Sequence, residues 1–116
     1  MLTRSISTGT VRRRGEVIGR VSVTVTADDR VDMAPRERRR TLGARFTGRV
    51  APDLRDELAA VVRRRGAAAR RAAERIEPIE VVLDDGGERI SGHLQPPQHR
   101  HGDLSDVVFT VRELAG

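Results

Sequence analysis

The chain has 116 residues, of which 34% are charged and 37% hydrophobic, and a formal net charge of +5. That length fits one domain with one modest core, and no apolar run approaches the ~18 residues of a membrane span. With no cysteine, disulfides and thiolate chemistry are excluded.

The opening MLTRSISTGT lacks the apolar segment of a signal peptide. The expectation is therefore an untargeted soluble protein, in the cytoplasm or in a virion-like particle and not secreted. All 22 basic residues are arginine. Codon usage in a GC-rich genome accounts for such a bias; a demand for planar guanidinium forks is the alternative. Charge is uneven along the chain. Residues 1–76 hold 19 arginines and 9 acids, and residues 77–116 hold 3 and 8. A basic front with an acidic back fits an anionic partner, or complementary surfaces within one fold or between copies of it.

In chain order, Leu2, Ile6 and Val11 mark a weak strand, and Arg12–Gly15 read as a turn. In EVIGRVSVTVT, Val17, Gly19, Val21, Val23 and Val25 alternate with polar residues, the pattern of a half-buried strand. Residues 27–40, with Pro35 and close arginines, read as a flexible surface loop. In TLGARFTGRV the alternation resumes through Leu42, Ala44, Phe46, Gly48 and Val50, with Gly43 and Gly48 as candidate bulge sites. APDLRDELAAVVRRR then has helical spacing. Asp53 is the expected cap, Leu54, Leu58, Val61 and Val62 the apolar stripe, and Arg63–Arg65 complement the C-terminal dipole. A break near Gly66 is expected before a further helical turn or two. After Pro78, Ile79–Leu83 and Arg89–Leu94 form a hairpin around Asp84-Asp85-Gly86-Gly87. DVVFTVREL is the last strand. The order β-β-β-α-β-β-β implies one α+β domain over residues 1–116: mostly antiparallel sheet or a partly closed barrel, with one main helix.

His93, His99 and His101 lie with Asp103 in one stretch, HLQPPQHRHGD. Zinc catalysis asks for three fixed ligands and an open position. The proline pair favours an extended chain that spreads such ligands, so a solvated connection is the leading reading and no metal or other cofactor is assigned. Asp28, Asp29 and Asp32 lack calcium-loop spacing. Ser105 and Asp106 lie near the histidines in sequence, but no nucleophile-elbow glycine pattern surrounds Ser105. These observations favour a non-enzyme. Arginine clusters at 12–14, 36–40, 63–65 and 70–71 provide phosphate-binding charge. Phe46 and Phe109 are the only aromatic residues and both sit on apolar strand faces, which leaves no platform for base stacking.

From Phe46 onward, FTGRV leads into LRDELAAVV, then PIEVVLDDGGERISGH and, after a loop, GDLSDVVFTVREL. This layout, over residues 46–114, resembles small β-rich proteins of phage tails and contractile injection machines. In those, a strand ending in glycine enters a helix, then a hairpin, then a final strand, and the proteins form rings in tubes, baseplates and connectors. The resemblance implies a structural, non-catalytic role and carries over no functional residue. The Gly66–Arg75 insert and the basic loop depart from the pattern. The residues expected to contact other subunits are Arg36, Arg38, Arg39 and Arg40 with Arg63, Arg64 and Arg65, meeting acidic surfaces such as Asp84, Asp85 and Glu88. The alternative partner for the same arginines is nucleic acid.

Overall fold

The computed structural model describes residues 2–28, 40–97 and 107–114. Its elements are β1 (Leu2–Arg13), β2 (Glu16–Asp28), β3 (Arg40–Thr47), α1 (Pro52–Arg63), α2 (Gly66–Glu74), β4 (Ile79–Leu83), β5 (Arg89–Gln95) and β6 (Val108–Glu113). The strands close into a barrel in the order β1-β2-β3-β6-β5-β4, every neighbouring pair antiparallel. The α+β class and the antiparallel sheet agree with expectation. Two points differ: closure is complete, and there are two helices.

Two three-stranded meanders, β1–β3 and β4–β6, make this barrel. They meet at two seams, β1 with β4 and β3 with β6. The β1–β4 seam depends on Gly9. A Cβ there would lie 2.6 Å from the Val82 carbonyl oxygen, so a side chain would push the two backbones apart. Gly92 is equally confined, since a Cβ would come within 2.5 Å of the Arg112 carbonyl on β6. The register shift falls between Val11 and Arg12 of β1. It does not fall at Gly43, which pairs in register with Thr24 and Thr110, nor at Gly48, whose φ of +69° ends β3.

The strands bury alternate residues because successive side chains point to opposite faces. Val21, Val23, Val25, Leu42, Ala44, Phe46, Val81, Ile90, Leu94, Phe109 and Val111 fill the interior. Phe46 and Phe109 meet edge to face, their ring centroids 5.7 Å apart. Val17, expected on the same face, is 56% exposed. It pairs with Arg12 beyond the register shift, and there Ile18 packs against the core instead.

Both helices lie between the end of β3 and the start of β4. Leu54, Leu58 and Val61 of α1, with Ala73 of α2 and Ile76, join the same core. The cap of α1 is Ala51, held by its N–H donating to the Ile18 carbonyl at 2.8 Å, and Asp53 sits in the first turn without capping. Arg64 turns extended and its N–H donates to the Val61 carbonyl, ending α1. Gly66 then adopts φ +56°, a conformation costly for a side-chain-bearing residue, and α2 starts in a new direction. The expected further helical turns are thus a separate nine-residue helix. No helix among the described residues is long and apolar enough to cross a membrane.

Candidate functional site

Some barrel arginines meet acids of their own chain, and others, Arg12, Arg45 and Arg112 among them, have no acidic partner among the described residues. At the β1–β2 turn, Arg13 makes a two-pronged contact with Glu57 of α1, Nη1 donating to Oε1 at 3.0 Å and Nη2 to Oε2 at 2.9 Å. Its Nε lies 3.9 Å from Glu77, an ion-pair distance too long for a hydrogen bond. The hydrogen bond from Glu57 raises the Arg13 pKa above its ordinary value, against partial desolvation, so the guanidinium stays charged. Arg14 reaches Glu77 at 2.7 Å. Arg20 reaches Asp84 at 2.9 Å, and the Thr8 hydroxyl donates to the same carboxylate oxygen at 2.7 Å. Arg89 lies 3.6 Å from Glu80.

On the cap, the run from Arg63 to Arg75 carries six arginines and one glutamate. The burial pattern follows from helical spacing: Ala69, Ala73 and Ile76 face the core, which turns Arg70, Arg71 and Arg75 outward. Arg63 and Arg65 are exposed beside them at the junction of the two helices. The Arg64 guanidinium donates to the Ala60 carbonyl at 2.8 Å. Among the described residues, Arg63, Arg65, Arg70, Arg71 and Arg75 have no acidic partner within ion-pair distance.

The expected acidic surface is the turn from β4 to β5, at the opposite end of β4 from α2. Asp84, Asp85 and Glu88 are all exposed there. Asp84 is already engaged by Arg20 and Thr8 of its own chain, which leaves Asp85 as the more available carboxylate. No ion pair joins Arg63 or Arg65 to Asp84, Asp85 or Glu88 among the described residues. Arg40 begins β3, and Arg36, Arg38 and Arg39 lie outside the described residues.

His93 faces outward from β5, opposite Arg112 of β6. His99, His101, Asp103, Ser105, Asp29 and Asp32 lie outside the described residues. Among those described, no three histidine or acidic side chains converge as metal ligands would. Both phenylalanines are in the core, as their strand faces indicate.

Residue-level reading missed the outer edge of β1. Ile6 is 79% exposed, the most exposed large apolar side chain among the described residues. The signal was present: Ile6 and Val11 are an odd number of positions apart, so in a period-two strand they cannot share a face. Compared with protein-family models, with curated proteins and with solved structures, the chain finds no match.

Proposed function

We propose that this chain is a non-enzymatic assembly subunit that works through protein–protein contacts, in the manner of the ring and baseplate proteins of phage-tail-like particles that residues 46–114 resemble. The observation that carries the reading is the partition of arginines. Arg13, Arg14, Arg20 and Arg89 of the barrel meet acids of their own chain, whereas Arg63, Arg65, Arg70, Arg71 and Arg75 crowd one exposed stretch with no acidic partner among the described residues. An acidic turn with Asp85 and Glu88 at the far end of β4 from α2 is the kind of surface they fit. Such an arrangement favours head-to-tail contact between copies or with related subunits. The exposed β1 edge with Ile6 adds a surface suited to strand pairing, which is protein chemistry and not phosphate chemistry.

The second reading, phosphate binding, rests on the density of arginine between Arg63 and Arg75. The core position of both phenylalanines confines it to backbone contact without base stacking. Light scattering coupled to size exclusion, at low and high salt on nucleic-acid-free protein, separates the two. A discrete oligomer or salt-sensitive polymer supports assembly. A monomer that titrates with duplex DNA along a steep salt slope replaces it with phosphate binding.

A further inference from the structure

The barrel accounts for only part of β1. Its pairing with β4 covers Gly9 to Arg12, and its pairing with β2 runs the full length from Leu2. The Asp84 N–H donates to the Thr8 carbonyl at 2.9 Å and ends the seam. Beyond it, Leu2–Ser7 have a strand on one side and, among the described residues, none on the other.

That edge has a definite polarity. Successive residues of a strand aim their backbone groups at opposite edges. Because the Thr8 carbonyl points toward β4, Ile6 and Arg4 also point their N–H and C=O groups outward, while Ser5 and Ser7 point theirs at β2. Exposed rows of this kind are templates for another strand, and proteins usually blunt them with charge, proline or a covering segment. Here the edge carries an exposed isoleucine, Ile6.

We infer that the β1 edge pairs with the β1 edge of a second copy, antiparallel, about a two-fold axis through Ser5. Face matching requires opposed residues of equal parity. Three registers fit the free length. Centring on Arg4 opposes two like charges, which is destabilising. Centring on Ile6 sets Arg4 against Thr8, whose carbonyl already accepts the Asp84 N–H. Centring on Ser5 sets Arg4 against Ile6 on both sides of the axis and meets the occupied Thr8 carbonyl only at the ends of the pairing, opposite Leu2. It forms four outward hydrogen bonds, lays the arginine stem along the isoleucine, and opposes no like charges. The contact deepens the assembly reading by naming a second copy as the partner, and it uses a surface separate from the helical cap.

The absence of native cysteine makes the test direct. Ser5→Cys, Arg4→Cys and Ile6→Cys are each oxidised mildly at tens of micromolar and run on a non-reducing gel. In this register the two Ser5 positions form a non-hydrogen-bonded pair with Cα atoms about 4.5 Å apart, within disulfide range. Each Arg4 or Ile6 lies about 7–8 Å from its own copy, too far for a ready bridge. Ser5→Cys is expected to cross-link to dimer, Arg4→Cys and Ile6→Cys alone to remain mostly monomeric, and their equimolar mixture to give the hybrid dimer. Ile6→Pro removes an outward N–H that has no strand partner among the described residues and is expected to abolish the dimer in light scattering while circular dichroism is unchanged. Failure of Ser5→Cys to cross-link, equal rates for all three cysteines, or a dimer that survives Ile6→Pro overturns the inference. Combining Ser5→Cys with Arg65→Glu and Arg71→Glu keeps the two proposals apart. Cross-linking that persists while salt-sensitive association is lost places the edge contact independently of the cap.

Discussion

Arginine meets two different environments at the β1–β2 turn and on the helical cap. On the barrel wall, Arg13 lies half-buried between α1 and the β1–β2 turn, held by both oxygens of Glu57 and by the nearby charge of Glu77. On the cap, Arg65, Arg70, Arg71 and Arg75 are exposed, with no acidic partner among the described residues. The residue type is identical and the local sequence equally rich in arginine. What differs is whether the fold brings a carboxylate from a distant segment: Glu57 is 44 positions from Arg13 in sequence. A cluster of like charges thus says little until the topology shows which members are neutralised at home.

The largest effect should come from removing the platform that holds the two sets apart. Leu58 is 1% exposed and ties α1 to the barrel core. Leu58→Ala leaves a cavity and should cost about 2–5 kcal/mol, a fall in Tm of about 10 °C or more by thermal unfolding. If Tm hardly moves, the helices are not part of the cooperative unit.

Next is the half-buried pair. Arg13→Ala removes a charge-assisted, two-pronged contact and leaves Glu57 without its partner, for an expected loss of about 1–2 kcal/mol after allowing for solvent screening. Glu57→Ala should cost a similar amount, and the double variant less than the sum, because the two residues share one interaction. Urea titration of the four proteins measures the coupling. Strict additivity would mean that the contact contributes nothing beyond its separate parts. Since Arg13 has a raised pKa in the fold, its contribution is fully present below the arginine's unfolded pKa and is lost only as pH rises through the folded one, so it should be flat across neutral and acidic pH as far as Arg13 itself is concerned.

Smaller still is the exposed contact at Arg20. With side-chain exposures of 58% and 44%, the Arg20–Asp84 pair should contribute less than about 1 kcal/mol. Arg20→Ala also frees Asp84 and so enlarges the available acidic turn. If that turn meets the helical cap of another copy, the variant should associate about two- to three-fold more tightly at low salt, measured by sedimentation, with the gain disappearing at high salt. Unchanged association would remove the turn from the interface.

Much of this architecture could be read in the chain beforehand, because period-two alternation is strong where one face is buried. Leu42, Ala44 and Phe46 of β3, the Ile79–Leu94 hairpin and Val107, Phe109 and Val111 all turned inward as their spacing indicated. Closure was not readable. It depends on β1 meeting β4 across some 70 positions, and on Gly9 admitting the Val82 carbonyl, and neither leaves a local pattern. The separate second helix was hidden for a related reason. Ala69, Ala73 and Ile76 continue the apolar stripe of α1, and the extended Arg64 and Arg65 with the positive φ of Gly66 interrupt the helix between them. The candidate surface was half legible: the arginines could be counted, but their pairing could not, since Glu57, Glu77 and Asp84 reach them from distant segments.

The smallest change in stability should accompany the most informative change in behaviour. Arg65→Glu, Arg70→Glu and Arg71→Glu together reverse the charge of the cap at positions that touch no acid among the described residues. Substitutions at such positions are usually close to neutral for folding, so Tm should move by no more than about 2–3 °C. Exchanging like-charge crowding along 63–75 for mixed charge can even raise it slightly. Association should respond quite differently. If these arginines serve an acidic surface of another subunit, the reversed protein loses its salt-sensitive oligomer and gains the ability to bind a partner whose Asp85 and Glu88 have been changed to arginine. That rescue is the discriminating readout, because nucleic acid offers no counterpart to it: a phosphate-binding cap would lose its ligand on reversal and recover it for no acidic-turn variant. A large fall in Tm would instead place these arginines in a structural role like that of Arg13 and remove them as a contact surface.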